Sequence, residues 1–276
     1  MHVNSGEKTK HHMSLVDEVG RYYQQSDNEL AQRYIKDRDF LSPDYCRAAL
    51  QHRYALYPFI DEIVDFPRWT GKRVLEIGCG QGADLSRFVA SGAQAYGCDL
   101  TPKHCQISRD FVAALGGEVA TAQADARQLP YASESFDLVY SFGVLLLVED
   151  LDAGIREIHR VLKPGGRVIV MFYNRQSLHY YVKTLFYYGV VCDLERILGP
   201  RRLVDWFTDG FGYPRTFHQS PDSLRKAFGR FTVENVWVRN LTPDQVPRCQ
   251  FDDYPQDFWK WIASALGFYV MLSGRK

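Results

Sequence analysis

The stretch Arg73-Val74-Leu75-Glu76-Ile77-Gly78-Cys79-Gly80-Gln81-Gly82 decides how the chain is read. Its first five residues form a short apolar strand pattern, glycines punctuate it, and Asp84 to Ser91 carries a helix pattern. A strand that passes through glycines into a helix leaves the helix's first N–H groups free for an anion. It also lets backbone approach a ligand with no Cβ in between. The flanking sequence repeats the unit. Ala93 to Leu100 reads as a second strand, followed by Thr101 as N-cap and Pro102 at the first helical position. Val119 to Ala124, Phe136 to Ser141 and Arg167 to Tyr173 read as the third, fourth and fifth strands. Asp150 to Leu162 reads as a helix closed by Lys163-Pro164-Gly165-Gly166. Such alternation predicts a parallel sheet with right-handed crossovers, and a ligand site beyond the carboxyl ends of its strands.

Three acids stand at successive strand ends: Glu76, Asp99 and Asp125. A carboxylate at Asp99 can accept both hydroxyls of a ribose. Asp125 can accept from an adenine amino group while the backbone beside it, at Ala126, donates to the ring. Gly78-x-Gly80-x-x-Ala83 with Asp99 also matches a dinucleotide fingerprint formally. Glu76 argues against a nicotinamide enzyme, because it would lie close to the pyrophosphate. Asp125 has no evident dinucleotide role, and the chain has no Tyr-x-x-x-Lys pair.

Working outward, residues 1–70 read as a disordered tail and an N-terminal helical lid, with a break at Ser42-Pro43. Residues 71–175 are the Rossmann-like core. Residues 176–220 form a helical insertion dense in aromatics, among them Tyr180, Tyr181, Phe186, Tyr187, Tyr188, Trp206, Phe207, Phe211, Tyr213 and Phe217. Residues 221–276 complete the sheet: a helix starts at Ser220-Pro221-Asp222-Ser223, and two strands over Phe231 to Arg239 and Gly267 to Arg275 read as an antiparallel edge pair with no helix between them.

Composition bounds the function. With 33 basic and 33 acidic side chains the formal net charge is +0, so no electrostatic footprint for nucleic acid is expected. The six cysteines are scattered without a Cys-x-x-Cys, which argues against a zinc site or a disulfide framework; His11-His12 reads as a solvated pair in a polar tail. The polar N-terminus lacks a signal-peptide core, and no apolar run reaches the length of an integral membrane span, so a reducing cytoplasm is expected.

The motif set as a whole resembles the class I S-adenosylmethionine (SAM)-dependent methyltransferases, and most of all their small-molecule, type 11 branch. The resemblance rests on Glu76-Ile-Gly78-Cys-Gly80-Gln-Gly82, Gly97-Cys-Asp99-Leu-Thr101, Ala124-Asp125-Ala126, Phe136-Asp137 through Ser141, and Arg160-Val-Leu-Lys-Pro-Gly-Gly166. It covers residues 50–175 well and is looser to 235. It implies an α/β, Rossmann-like, seven-stranded, mostly parallel sheet with an antiparallel last strand. It also implies SAM as cofactor, held by Glu76, Gly78, Gly80, Gly82, Asp99, Leu100, His104, Asp125, Ala126 and Ser141. One departure is that Gly143-Val144-Leu145-Leu146-Leu147 replaces a family pattern ending in histidines. That makes the wall apolar and favours an acceptor needing little help from a base, or a base supplied from elsewhere in the chain.

Tyr22, Tyr173 and His218 are the candidate catalytic residues. Tyr22-Tyr23 lie on the lid, Tyr173 follows the fifth strand, and His218, like His179, lies in or beside the insertion. The insertion is expected to cap an acceptor pocket; its aromatics could instead rest on a membrane surface or a homodimer partner. The functional expectation is methyl transfer to a small-molecule acceptor in biosynthesis. The alternative is a SAM-fold protein that transfers no methyl group, acting as a binding module or in another SAM-assisted reaction.

Overall fold

The computed structural model describes residues 14–25, 38–209, 214–241 and 256–276. The expected disordered tail at 1–13, with His11 and His12, lies outside the described residues, as do Phe211, Tyr213, Cys249 and the side chains of Trp206 and Phe207.

Seven strands form one sheet: β1 (Arg73–Ile77), β2 (Gln94–Asp99), β3 (Ala120–Gln123), β4 (Phe136–Phe142), β5 (Leu162–Tyr173), β6 (Thr232–Arg239) and β7 (Tyr269–Arg275). Their order is β3-β2-β1-β4-β5-β7-β6. The first five are parallel, and β7 runs antiparallel to both β5 and β6. β1 is central: Glu76 stands level with Gly97 on β2 and Tyr140 on β4. From β1 the strands are laid outward to β2 and β3 on one side and to β4 and β5 on the other, so the crevice at the carboxyl ends of β1, β2 and β4 is the topological switch point where ligands bind.

Local chemistry explains the element ends. Thr101 accepts from the His104 amide and caps the helix Pro102–Ala114. Ser42 caps Pro43–Leu56 in the same way, through the Tyr45 amide. Ser220 and Ser223 form a reciprocal capping box at the start of Pro221–Ala227. The sheet is buried on both faces, and Val74, Leu75, Leu138, Val139, Val168 and Val170 are wholly inaccessible. The N-terminal segment joins this core through Phe59, Ile60, Ile63 and Val64 of the helix Phe59–Val64, and through Trp69, whose indole N–H donates to the Val64 carbonyl.

Two expectations need correction. Lys163-Pro164-Gly165-Gly166 does not stop the helix Leu151–Val161 with a left-handed cap. Leu162 is already extended and pairs with Phe136; the register then shifts before Arg167 pairs with Leu138, so the four residues bulge out of β5. A helix, Gln256–Leu266, also stands between β6 and β7 where none was expected. Its half-buried residues Trp259, Ile262, Ala263 and Leu266 recur at the spacing of one helical face.

Candidate functional site

Past β1 the chain turns through Gly78, Gly80 and Gly82, all at positive φ (74°, 48° and 89°). At Gly78 a Cβ would overlap the Val144 side chain. At Gly82 it would come within 2.8 Å of the Ser108 backbone, so this glycine serves the crossing of two helices and does not line the cavity. Gly78 and Gly80 instead form one wall of a cavity of about 240 Å³ at the carboxyl ends of β1, β2 and β4.

The cavity gathers seven of the ten expected cofactor residues: Gly78, Gly80, Asp99, Leu100, His104, Asp125 and Ala126. Asp99 is the best anchored. Its Oδ2 accepts from the Gly80 amide at 3.1 Å, and its Oδ1 accepts from the Thr101 amide at 2.9 Å and the Thr101 hydroxyl at 3.1 Å. His104 Nδ1 stands 3.5 Å away. Burial pushes the Asp99 carboxyl up, but His104 and the two amides outweigh it and hold the group below its ordinary range. Asp125 is gripped by Arg127, whose Nη2 donates to Oδ2 at 2.7 Å and whose amide donates to Oδ1 at 2.8 Å. This partner was not foreseen, although a basic residue two positions on is a readable signal. Arg127 outweighs partial burial and keeps the Asp125 carboxyl low.

The helix Leu15–Gln25 lies across the cavity with Val16, Val19 and Tyr23. The helix passes close over Leu100 at Gly20, where a Cβ would stand in ordinary contact with the leucine at 3.7 Å. Tyr23, not Tyr22, faces the cavity and meets His104 edge-on at 5.9 Å; Tyr22 packs against Tyr23. The opposite wall is apolar: Phe142, Gly143, Val144, Leu147 and Val148. Leu147 therefore faces the cavity as expected. Leu146 is wholly buried and does not line it; its carbonyl accepts from the Phe217 amide at 2.7 Å.

Glu76 and Ser141 stand just outside the cavity lining. The Ser141 hydroxyl donates to the Ile77 carbonyl at 3.1 Å and so fixes the end of β1. Glu76 is buried, and its Oε2 has no hydrogen-bond partner among the described residues. Burial first, and then the negative charge of Asp84, raise its carboxyl well above the ordinary range. A buried acceptor left open beside a glycine loop fits a cationic group of a ligand. Sequence reasoning missed the cluster behind it. Asp84 takes two hydrogen bonds from the Arg53 guanidinium, at 2.7 and 2.5 Å, and one each from the Tyr54 and Tyr140 hydroxyls, both at 2.8 Å.

Two of the three expected catalytic residues lie together but away from the cavity lining. Tyr173 is stacked on Phe268 at 4.8 Å and meets the His218 ring edge-on at 5.5 Å. Thr216 Oγ1 is 3.4 Å from His218 Nε2. Burial, then His179 and Arg175, lower the His218 pKa to about 4, so the ring is neutral. The expected aromatic pocket is also corrected. Of Tyr22, Tyr23, Tyr173, Tyr181 and His218, only Tyr23 lines this cavity, and Tyr181 is exposed. The cause is phase. The segment His179–Val191 is a π-helix whose buried positions are His179, Thr184 and Gly189, which leaves Tyr181, Phe186 and Tyr187 exposed and Tyr180 and Tyr188 half-buried, with Tyr180 against the His218 ring at 5.5 Å.

Comparison with known proteins agrees with this geometry. A family model described as a methyltransferase domain matches residues 75–170. Methyltransferase GfsG of Streptomyces halstedii is 32% identical over 165 residues, 55% of this chain and 56% of that protein. The ubiquinone/menaquinone biosynthesis C-methyltransferase UbiE of Haemophilus ducreyi is 37% identical over 111 residues, 38% of this chain and 42% of that protein. The matches thus span about half the length of these curated relatives. Among solved structures, the magnesium protoporphyrin IX methyltransferase ChlM of Synechocystis, with bound S-adenosylhomocysteine, superposes with a TM-score of 0.60 at 16% identity over 95% of this chain and 100% of that one, a likeness of fold. Among the described residues no group of His, Cys, Asp and Glu is arranged to hold a metal ion, and no helix is long and apolar enough to cross a membrane.

Proposed function

We propose that the chain, whose residues 75–170 match a methyltransferase-domain model, is a class I SAM-dependent enzyme that moves the methyl group of SAM to a small-molecule acceptor of apolar or aromatic character. The observation that carries this reading is the two-sided cavity. Gly78, Gly80, Asp99 and Asp125 stand on one side, and Phe142, Val144, Leu147 and Val148 on the other. SAM brings a methyl group already activated on a sulfonium. The protein's part is therefore binding, alignment and the exclusion of water, which together can supply roughly 7–11 kcal/mol.

In this reading Asp99 holds the ribose hydroxyls, and Asp125 with the Ala126 backbone reads the adenine. Glu76 offers its open oxygen to the ammonium of the methionine part, and His104 with Leu100 flanks the ring. The apolar wall excludes water and receives the acceptor. The helix Leu15–Gln25 acts as a lid through Val16, Val19 and Tyr23. Tyr173 and His218 pack the end of β5 beside the site, and residues 176–209 and 214–220 cap that end from outside the cavity. An acceptor that is already a good nucleophile suits an apolar wall, because it asks for no general base.

The test is a transfer assay with methyl-labelled SAM against a panel of small apolar and aromatic acids, phenols and thiols. Label appearing on one class, and falling when Leu147 is replaced by alanine, supports the reading. Tight SAM binding with no label on any acceptor favours the alternative of a SAM-fold protein that transfers no methyl group.

A further inference from the structure

A second cavity, of about 310 Å³, opens at the amino ends of β1 and β4, at the other end of these strands from the first. Roughly 13 Å of strand, from Arg73 to Ile77, separates the two ends, so a ligand here is out of reach of a reaction in the first cavity. The lining is basic. Arg68 comes from the short helix Phe66–Trp69, and Lys72 leads into β1. Lys163 and Arg167 come from the bulged start of β5, and Arg275 from the end of β7. The one acid among the lining residues is Asp137, at the start of β4.

The carboxylates in and around this cavity are already engaged. Lys163 Nζ donates to both Asp137 oxygens at 2.9 Å, and the Arg73 amide donates to Asp137 Oδ2 at 2.9 Å. Burial raises the Asp137 carboxyl, but Lys163, the Arg73 amide and Lys72 outweigh it and hold the group low. Glu234 stands between Arg167 Nη2 at 2.8 Å and Arg275 Nη2 at 3.0 Å. At the rim Lys276 Nζ faces Glu134 at 3.8 Å, and the Gly165 amide donates to the Lys276 main-chain oxygen at 3.0 Å. Arg68 rests over the Trp69 ring at 5.9 Å, and among the described residues neither Arg68 nor Lys72 makes an ion pair. Six cations thus face three carboxylates, a surplus of three. A full negative charge on the Lys276 oxygen would still leave a surplus of two.

The strand order gives the shape of the ligand. β1, β4, β5 and β7 are neighbours in that order, so the cations enter the cavity along a row of roughly 14 Å from Lys72 to Arg275. A single phosphate group meets cations at one place in such a row; linked phosphates meet them along it, and arginine forks suit phosphate oxygens. We propose that this second cavity binds an anion of two or more linked phosphate groups, free or at the end of a nucleotide. This holds whatever the first cavity binds.

The experiment is isothermal calorimetry of the full chain with sodium pyrophosphate, ADP and inorganic phosphate at constant ionic strength, each with and without saturating S-adenosylhomocysteine. Pyrophosphate is expected to bind one-to-one, at least about tenfold more tightly than phosphate, with or without the adenosyl ligand. ADP bound more tightly than pyrophosphate makes a nucleotide the source of the phosphates; ADP bound equally or less makes it the free anion. The double variant Arg68→Gln, Lys72→Gln should bind pyrophosphate about tenfold or more weakly, since it withdraws two unpaired cations. Its melting temperature without ligand and its SAM affinity should stay those of the wild type, because both side chains are exposed. A wild-type chain that does not bind pyrophosphate, or binds phosphate equally well, overturns the proposal. So does a glutamine variant that binds pyrophosphate like the wild type. Displacement of pyrophosphate by S-adenosylhomocysteine would assign the anion to the glycine loop and overturn it too.

Discussion

The Arg53 guanidinium holds the Asp84 carboxylate by two hydrogen bonds, 2.7 and 2.5 Å long, and in doing so ties the helix Pro43–Leu56 to the first turn of the helix that follows the glycine loop. Asp84 is almost wholly inaccessible, whereas Arg53 keeps a quarter of its side chain exposed. Removing the cation leaves a buried carboxylate with only the Tyr54 and Tyr140 hydroxyls. Arg53→Ala should therefore cost about 3–5 kcal/mol of stability in urea titrations. Adding Asp84→Asn to it should restore part of the loss. A single variant within about 1 kcal/mol of the wild type would show that the pair is not what joins the N-terminal segment to the core.

Glu76 offers a sharper contrast between stability and binding. Its raised pKa means that ionising it in the folded chain is costly. Any stability gained from the protonated form is present at low pH and lost as pH rises through the folded value. Glu76→Gln removes that cost, so the ligand-free variant should melt at or above the wild-type temperature at neutral pH. It should nevertheless bind SAM roughly 10–100-fold more weakly, because a charged acceptor has been exchanged for a neutral one. If affinity survives unchanged, Glu76 does not face the ligand.

Asp99 and Asp125 differ in what they hold. Asp99 accepts from Gly80 and Thr101 and so shapes the glycine loop, whereas Asp125 is engaged by Arg127. Asp99→Ala should lower SAM affinity more than Asp125→Ala. It removes two ligand hydrogen bonds, each worth roughly 0.5–1.5 kcal/mol, and also loosens the loop. Calorimetry giving equal or reversed losses would contradict the assignment of ribose to Asp99.

His218 sets a pH dependence of stability. Its folded pKa is about 4, while an unfolded histidine titrates near 6.5. Between those values the unfolded chain takes up the proton and the folded chain does not. Stability therefore falls as pH drops through that window, by at most about 3 kcal/mol, and is unaffected by this group above it. His218→Asn should flatten that part of the curve. Identical slopes in variant and wild type would remove His218 as its cause.

What the sequence disclosed follows the range of the interactions involved. Thr101-Pro102 and Ser220-Pro221 announce their helices because capping acts within three residues, and both were read correctly. Glu76, Asp99 and Asp125 were legible as strand ends because the period of a strand and a glycine stop are local signals. Arg53 and Asp84 are 31 residues apart, and nothing local announces their pairing. The outward turn of Tyr181 and Phe186 depends on a π rather than an α phase, which the aromatic density of the segment does not encode. The helix Gln256–Leu266 is a different case. Its apolar spacing is present in the sequence, but the strand patterns on either side suggest an antiparallel edge pair that needs no helix between its strands.

The account turns on the cavity that Gly80, Asp99 and Asp125 share with Tyr23 and Leu147. Isothermal calorimetry of the purified full chain with SAM, S-adenosylhomocysteine and NAD tests it most directly. Saturable one-to-one binding of the first two, weakened by Asp99→Ala, with no heat from NAD, is the predicted result. No binding of either adenosyl ligand, or a preference for NAD, would contradict it.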